Sequence, residues 1–283
     1  MSLAFKGAGM GVKHLGVYWL LLLAFAVASL GATTGKLLPQ AEKLYSERYK
    51  LPVLEELISL YEAALAKAPE DEELLSRLAQ FWYEKAMLVP EDEKKACFER
   101  ARDYALAALR TEPEFAAVEK EKGLAAAMAV ATDPAALLWY ANAQGQLLGM
   151  ISPLKAFRLM KPVQAAYQRI VEIDPCFWGC SAIHSLGALE AHLATTPVVK
   201  LFFHASLEKA REYFQEAIER CPDYLENYYI FARDYAVPKK DRTLFHDLLE
   251  HVLEAPIGDW PFWNRNAKLA ARGLLSQEEE LFR

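Results

Sequence analysis

Ala210-Arg-Glu-Tyr-Phe214-Gln-Glu-Ala217-Ile-Glu-Arg-Cys-Pro222 is the stretch on which the reading of the fold turns. A small residue, an aromatic ring and a second small residue stand 12, 8 and 5 positions before a proline, so all three share one helix face. Small residues let two helix backbones approach, the ring fills the space between them, and proline, lacking an N–H, stops the helix. The same offsets give Leu57, Tyr61 and Ala64 before Pro69, Ala101, Ala105 and Ala108 before Pro113, and Val163, Tyr167 and Ile170 before Pro175. Before Pro256 they give Leu244, Leu248 and His251, a weaker match. The segment after Pro222 places Tyr228, Phe231, Ala232 and Tyr235 at large, large, small and aromatic positions, and Leu75, Leu78, Ala79 and Trp82 repeat this after Pro69.

Two helices of this kind, closed by proline, form the pattern of a tetratricopeptide (TPR) repeat. The closing prolines lie 44, 62, 47 and 34 residues apart, so the repeat is irregular. The 62-residue interval requires additional helix, placed at about Met128 to Ile151. The expectation is an all-α fold: a TPR-like solenoid or bundle of helix pairs with an inserted helical segment. Composition agrees. Six of the 13 glycines fall at or before Gly35, so the body of the chain lacks the turn residues that hairpins and phosphate-binding loops require.

Residues 1–32 read differently. Leu15 to Ala32 carries no charge, follows Lys6, Lys13 and His14, and ends in small residues. This is the pattern of a signal peptide, or of an N-terminal membrane anchor if it stays uncleaved. The domain division is therefore 1–32 as signal or anchor and 33–283 as TPR-like helical domain, exported to the periplasm, with membrane contact only through the N-terminus. Removing Lys6 and Lys13 makes the body two units more negative than the formal charge of −6. An acidic body without a Lys/Arg cluster argues against nucleic acid.

Candidate binding residues are aromatic and amide side chains. Trp139, Tyr140, Asn142, Gln144 and Gln146 fall in the expected insertion and suit a small ligand or a partner loop. Phe177 and Trp178, beside Gly179, form a second candidate, while Trp260, Phe262 and Trp263 read as a cap on the end of the array. His184 and His192 lack a third metal ligand at a recognisable spacing, as do His246 and His251. No nucleophile–base pair is evident, so neither metal, cofactor nor catalysis is expected. Cys97, Cys176, Cys180 and Cys221 read as packed, reduced thiols; if a disulfide forms, Cys176 with Cys221 is the expected pair, since both flank prolines of adjacent repeats.

The second half of the chain adds a resemblance. Leu137-Leu-Trp-Tyr-Ala-Asn142, Arg169-Ile-Val-Glu-Ile-Asp-Pro-Cys-Phe-Trp-Gly179 and Leu186-Gly187 are followed by Pro197, Ser206 to Phe214, and Cys221-Pro-Asp-Tyr224. Next come Tyr235-Ala-Val237, Asp241 to Phe245, Asn266-Ala-Lys268 and Glu280-Leu-Phe282. In this order they resemble the T component of TRAP transporters. The family's glycine pair is here Trp178-Gly179-Cys180, and no acylatable Cys follows the N-terminal apolar segment. The resemblance implies a periplasmic, non-enzymatic homotrimer that associates with the solute-binding protein of a TRAP transporter. It also implies a small hydrophobic or organic-acid ligand. The alternative is a generic TPR adaptor for cell-envelope assembly.

Overall fold

Helix succeeds helix wherever the apolar stripe and the caps predict it. The structure, a computed structural model, describes residues 40–196 and 205–283. The expected signal or anchor at 1–32 lies outside the described residues. Residues Leu44–Arg283 form one body. Its helices are α1 (Leu51–Leu65), α2 (Glu72–Leu88), α3 (Glu91–Thr111), α4 (Pro113–Lys122), α5 (Leu124–Met128) and α6 (Pro134–Gly149). They continue as α7 (Pro153–Ile173), α8 (Phe177–Thr195), α9 (Leu207–Arg220), α10 (Glu226–Phe231), α11 (Arg242–Glu254) and α12 (Pro261–Leu275). Among the described residues there is no strand, and no helix is long and apolar enough to cross a membrane.

Local chemistry sets the helix starts. Asp71, Asp133, Ser206 and Asp241 accept hydrogen bonds from the first free backbone N–H groups of α2, α6, α9 and α11. Glu72 and Glu73 add negative charge at the positive end of α2. Pro113, Pro134 and Pro261 occupy first turns, where the missing N–H is not needed. Pro162 lies inside α7, which runs through it to the stop at Pro175. Val163, Ala166, Tyr167 and Ile170 are buried on the same helix, and their packing outweighs the lost hydrogen bond.

The helices pair in sequence: α2 with α3, α3 with α6, α6 with α7, α7 with α8, and α8 with α9. The small–aromatic–small triplets face these contacts. Ala101, Ala105 and Ala108 are fully buried, as are Ala210, Phe214 and Ala217. Each buried ring such as Phe214 contributes about 1.5–3 kcal/mol. Gly187 lets α8 approach α9 so closely that an added Cβ would stand 3.1 Å from both Phe214 and Tyr213.

Two expectations are corrected. In α11 the buried face is Phe245, Leu248, Leu249 and Val252, while His251 is exposed against the Tyr228 ring at 4.2 Å. The apolar stripe, not the proline offset, sets the register there. The additional helix in the long interval is α4 with α5, which pack on each other, α5 also against α7. The stretch 128–151 is instead largely α6, a full member of the array between α3 and α7.

The array also closes on itself. In an open solenoid each repeat touches only its neighbours. Here Trp263 of α12 stacks on Tyr83 of α2, with centroids 6.1 Å apart across 180 residues of sequence.

Candidate functional site

Three stretches that the sequence offers separately meet at one place. Trp139 on α6 stands edge-on to Trp178 at 5.0 Å and stacks on Trp263 at 6.0 Å. Trp178 continues to Phe177 at 6.2 Å and Trp260 at 5.8 Å. Tyr83 and Tyr224 close the cluster from α2 and from the turn between α9 and α10. Trp139, Trp263, Tyr83 and Tyr224 are buried, while Phe177, Trp178 and Trp260 are half-buried and form its outer side. Trp260, Phe262 and Trp263 are thus not an end cap: Phe262 and Trp263 are interior, because the C-terminal helix folds back on the middle of the chain.

The Nε1–H groups of Trp178 and Trp263 are buried without a hydrogen-bond partner. An unpaired buried donor costs about 1–3 kcal/mol. The cluster therefore combines packed aromatic rings with two buried N–H donors that lack a partner.

Of the other predicted residues only Gln146 reaches it, through a side-chain hydrogen bond with Tyr83. Tyr140 is buried on a different side of α6, near Arg102, Arg110 and Glu119, and burial pushes its phenol up to about 12. Asn142 accepts a hydrogen bond from the Tyr167 hydroxyl at 2.8 Å and locks α6 to α7. Gln144 is half-buried and Gln146 exposed.

The backbone beneath the cluster is unusual. Trp178, Gly179 and Cys180 have φ of 49°, 65° and 63°, so α8 opens with a left-handed turn. Gly179 suits this conformation, and the ring of Tyr224 fills the place of its missing side chain, 2.4 Å from where a Cβ would stand. Two buried asparagines hold the surroundings. Asn227 Nδ2 donates to the carbonyls of Gly179, Ala217 and Cys221 at 3.1–3.2 Å. Those three acceptors fix the amide orientation, so its Oδ1 accepts from His184 Nδ1 at 2.7 Å and that ring nitrogen carries the hydrogen. Burial lowers the His184 pKa and keeps the ring neutral. Asn264 bonds Leu225 N, Asp223 O and Ile257 O, clasping the α9–α10 turn to the start of α12.

The sulfurs meet at the same turn. Cys180 and Cys221 form a disulfide with Cα atoms 6.0 Å apart, where reduced thiols, or a Cys176–Cys221 pair, were expected. The left-handed turn swings Cys180 inward against α9, and Cys176 remains an exposed free thiol while Cys97 is buried and free. All three sulfurs of Cys176, Cys180 and Cys221 lie within 4.8 Å of one another.

Sequence reading also missed a buried ion pair. Arg48 Nε donates to both carboxylate oxygens of Glu84 at 2.9 and 3.1 Å, and Gln80 donates to Glu84 at 2.9 Å. Glu84 is fully buried, which pushes its carboxyl up against the opposing pull of Arg48. The signal for it was a lone acid on the apolar stripe of α2. A groove of 390 Å³ lies beside α12, lined by Tyr49, Leu88, Ile257, Arg265, Leu269 and Arg272, among others. Arg265 and Arg272 are seven residues apart on one helix face, with Arg265 over the Tyr49 ring at 4.5 Å.

Fold and site together define an α-helical repeat protein whose helix pairs close around an aromatic cluster. The chain belongs to the TRAP transporter T-component family (TAtT), whose profile matches residues 53–282. That family is a transporter-associated component of the cell envelope. No curated protein matches the chain.

Proposed function

We propose that the protein is a non-enzymatic periplasmic scaffold that associates, as a homotrimer, with the solute-binding protein of a TRAP transporter in small-ligand uptake. Its membership of the T-component family over residues 53–282 carries this reading. A structural role is supported by the fate of its reactive groups: His184 and Glu84 are each committed to fixed buried contacts. The aromatic cluster supports a small hydrophobic or organic-acid ligand, since Trp178 and Trp263 present unsatisfied N–H donors among apolar rings. The groove beside α12 supports the partner half, because Arg265 and Arg272 offer guanidinium groups to a carboxylate-bearing surface.

Gentle crosslinking of native membrane and periplasmic fractions, followed by capture of this protein, tests the association. A solute-binding protein in the captured material is the expected result, and its repeated absence would overturn the proposal. Native mass spectrometry of the purified protein tests the ligand and trimer. A retained small molecule that is weakened by Trp178→Ala is expected.

A further inference from the structure

We propose that Cys176, Cys180 and Cys221 form a thiol–disulfide exchange site, in which the Cys176 thiolate attacks the Cys180–Cys221 disulfide and yields a second isomer, Cys176–Cys221. The three sulfurs lie within 4.8 Å of one another, so the attacking atom stands beside the bond it would break. Accessibility sets the direction of attack. Cys176 is exposed and Cys221 half-buried, whereas Cys180 is fully buried, so the Cys221 sulfur is the one an external-facing thiolate reaches.

The exchange balances without an added oxidant or reductant. The S–S bond between Cys180 and Cys221 breaks, one forms between Cys176 and Cys221, and Cys180 leaves as thiolate. Cys180 then takes up the proton that Cys176 released and becomes a buried thiol, a state apolar surroundings favour over the thiolate. One disulfide and two free thiols, Cys97 among them, remain on each side of the reaction.

The backbone gives the exchange a consequence. Cys180 ends a run of three residues with positive φ, of which only Gly179 is glycine; Trp178 and Cys180 hold a conformation that side chains disfavour. The disulfide to Cys221 tethers the last of them to α9. Moving the bond to Cys176 shifts the tether from the inner to the outer end of the Trp178–Cys180 turn and frees that turn to relax. Trp178 lies inside it and packs on Trp139 and Trp260, so the aromatic cluster reports which bond is present. Asn227, which donates to the carbonyls of both Gly179 and Cys221, holds the two sides together during the change.

Acid quenching, alkylation of free thiols and peptide mass spectrometry of the unreduced full-length protein test this directly. Fresh protein should show Cys180–Cys221 with Cys176 alkylated. Incubation at pH 8.5 before quenching should build up a fraction with Cys176–Cys221 and alkylated Cys180. Tryptophan emission should drift with the same rate constant, and Cys176→Ser should abolish both changes while keeping Cys180–Cys221. A Cys180→Ser chain oxidised with glutathione disulfide should close Cys176–Cys221. The proposal is overturned by persistent Cys180–Cys221 as the sole pairing, by four alkylated thiols in the fresh protein, or by a Cys180→Ser chain that leaves Cys176 and Cys221 both free.

Discussion

Asn227 holds the carbonyl oxygen of Gly179 at 3.1 Å from 48 residues away, and through it the left-handed turn under the aromatic cluster. The same side chain satisfies Ala217, Cys221 and His184, so four groups depend on one amide. Asn227→Leu keeps the volume and removes all of these bonds. We expect a loss of about 3 kcal/mol, since the His184 Nδ1–H is left buried and unpaired while the carbonyls, of which Ala217 and Cys221 keep their backbone partners, each lose one bond. Urea unfolding followed by far-ultraviolet circular dichroism measures it, and a change under 1 kcal/mol would refute the assigned role.

Gly179→Ala meets two obstacles. Its φ of 65° disfavours any side chain, and the new Cβ would stand 2.4 Å from Tyr224 Cγ. Overpacking and the left-handed conformation together predict a cost of about 2–4 kcal/mol. Gly149→Ala, with open space around the Cβ position and an ordinary φ, should be nearly neutral in the same assay.

His184 makes stability depend on pH. Burial lowers its folded pKa below the unfolded value of about 6.5, so the unfolded chain binds the proton more readily. Its contribution is therefore present above pH of about 6.5 and is lost as pH falls from there through the folded value. Comparing unfolding midpoints of the native chain and His184→Gln from pH 7.5 to 5 isolates this slope from that of Glu84. Parallel curves for the two proteins would contradict it.

Arg48→Ala leaves Glu84 buried beside Gln80 without its cation. Removing one member of such a pair costs about 3–5 kcal/mol, whereas replacing both by apolar residues of similar volume is often neutral. Arg48→Met with Glu84→Leu should therefore recover most of the loss. A double variant no more stable than Arg48→Ala would show that the network does more than satisfy its own charges.

The helix pairs were legible because their signal is local. Ala101, Ala105 and Ala108, or Ala210, Phe214 and Ala217, sit within single helices, and period alone places them inside. The register of α11 was misread where a proline offset was preferred to the apolar stripe. The site was legible in pieces: Trp139, Trp178 and Trp263 each stood out, but their convergence depends on α12 returning to α2, a contact between distant segments that periodicity does not encode. The Cys180–Cys221 pairing was hidden for a related reason. Only the three-residue reversal of backbone handedness decides whether Cys176 or Cys180 faces α9.

The Cys180–Cys221 bond spans 41 residues that include nearly all of α8 and α9 and the connection between them. A single cut anywhere between Cys180 and Cys221 opens this loop but releases no fragment, because the disulfide still joins the two pieces. The nicked protein keeps α8 and α9 at high effective concentration and leaves the C-terminal helix joined to the rest. Cleavage there would be silent on a non-reducing gel and visible only after reduction.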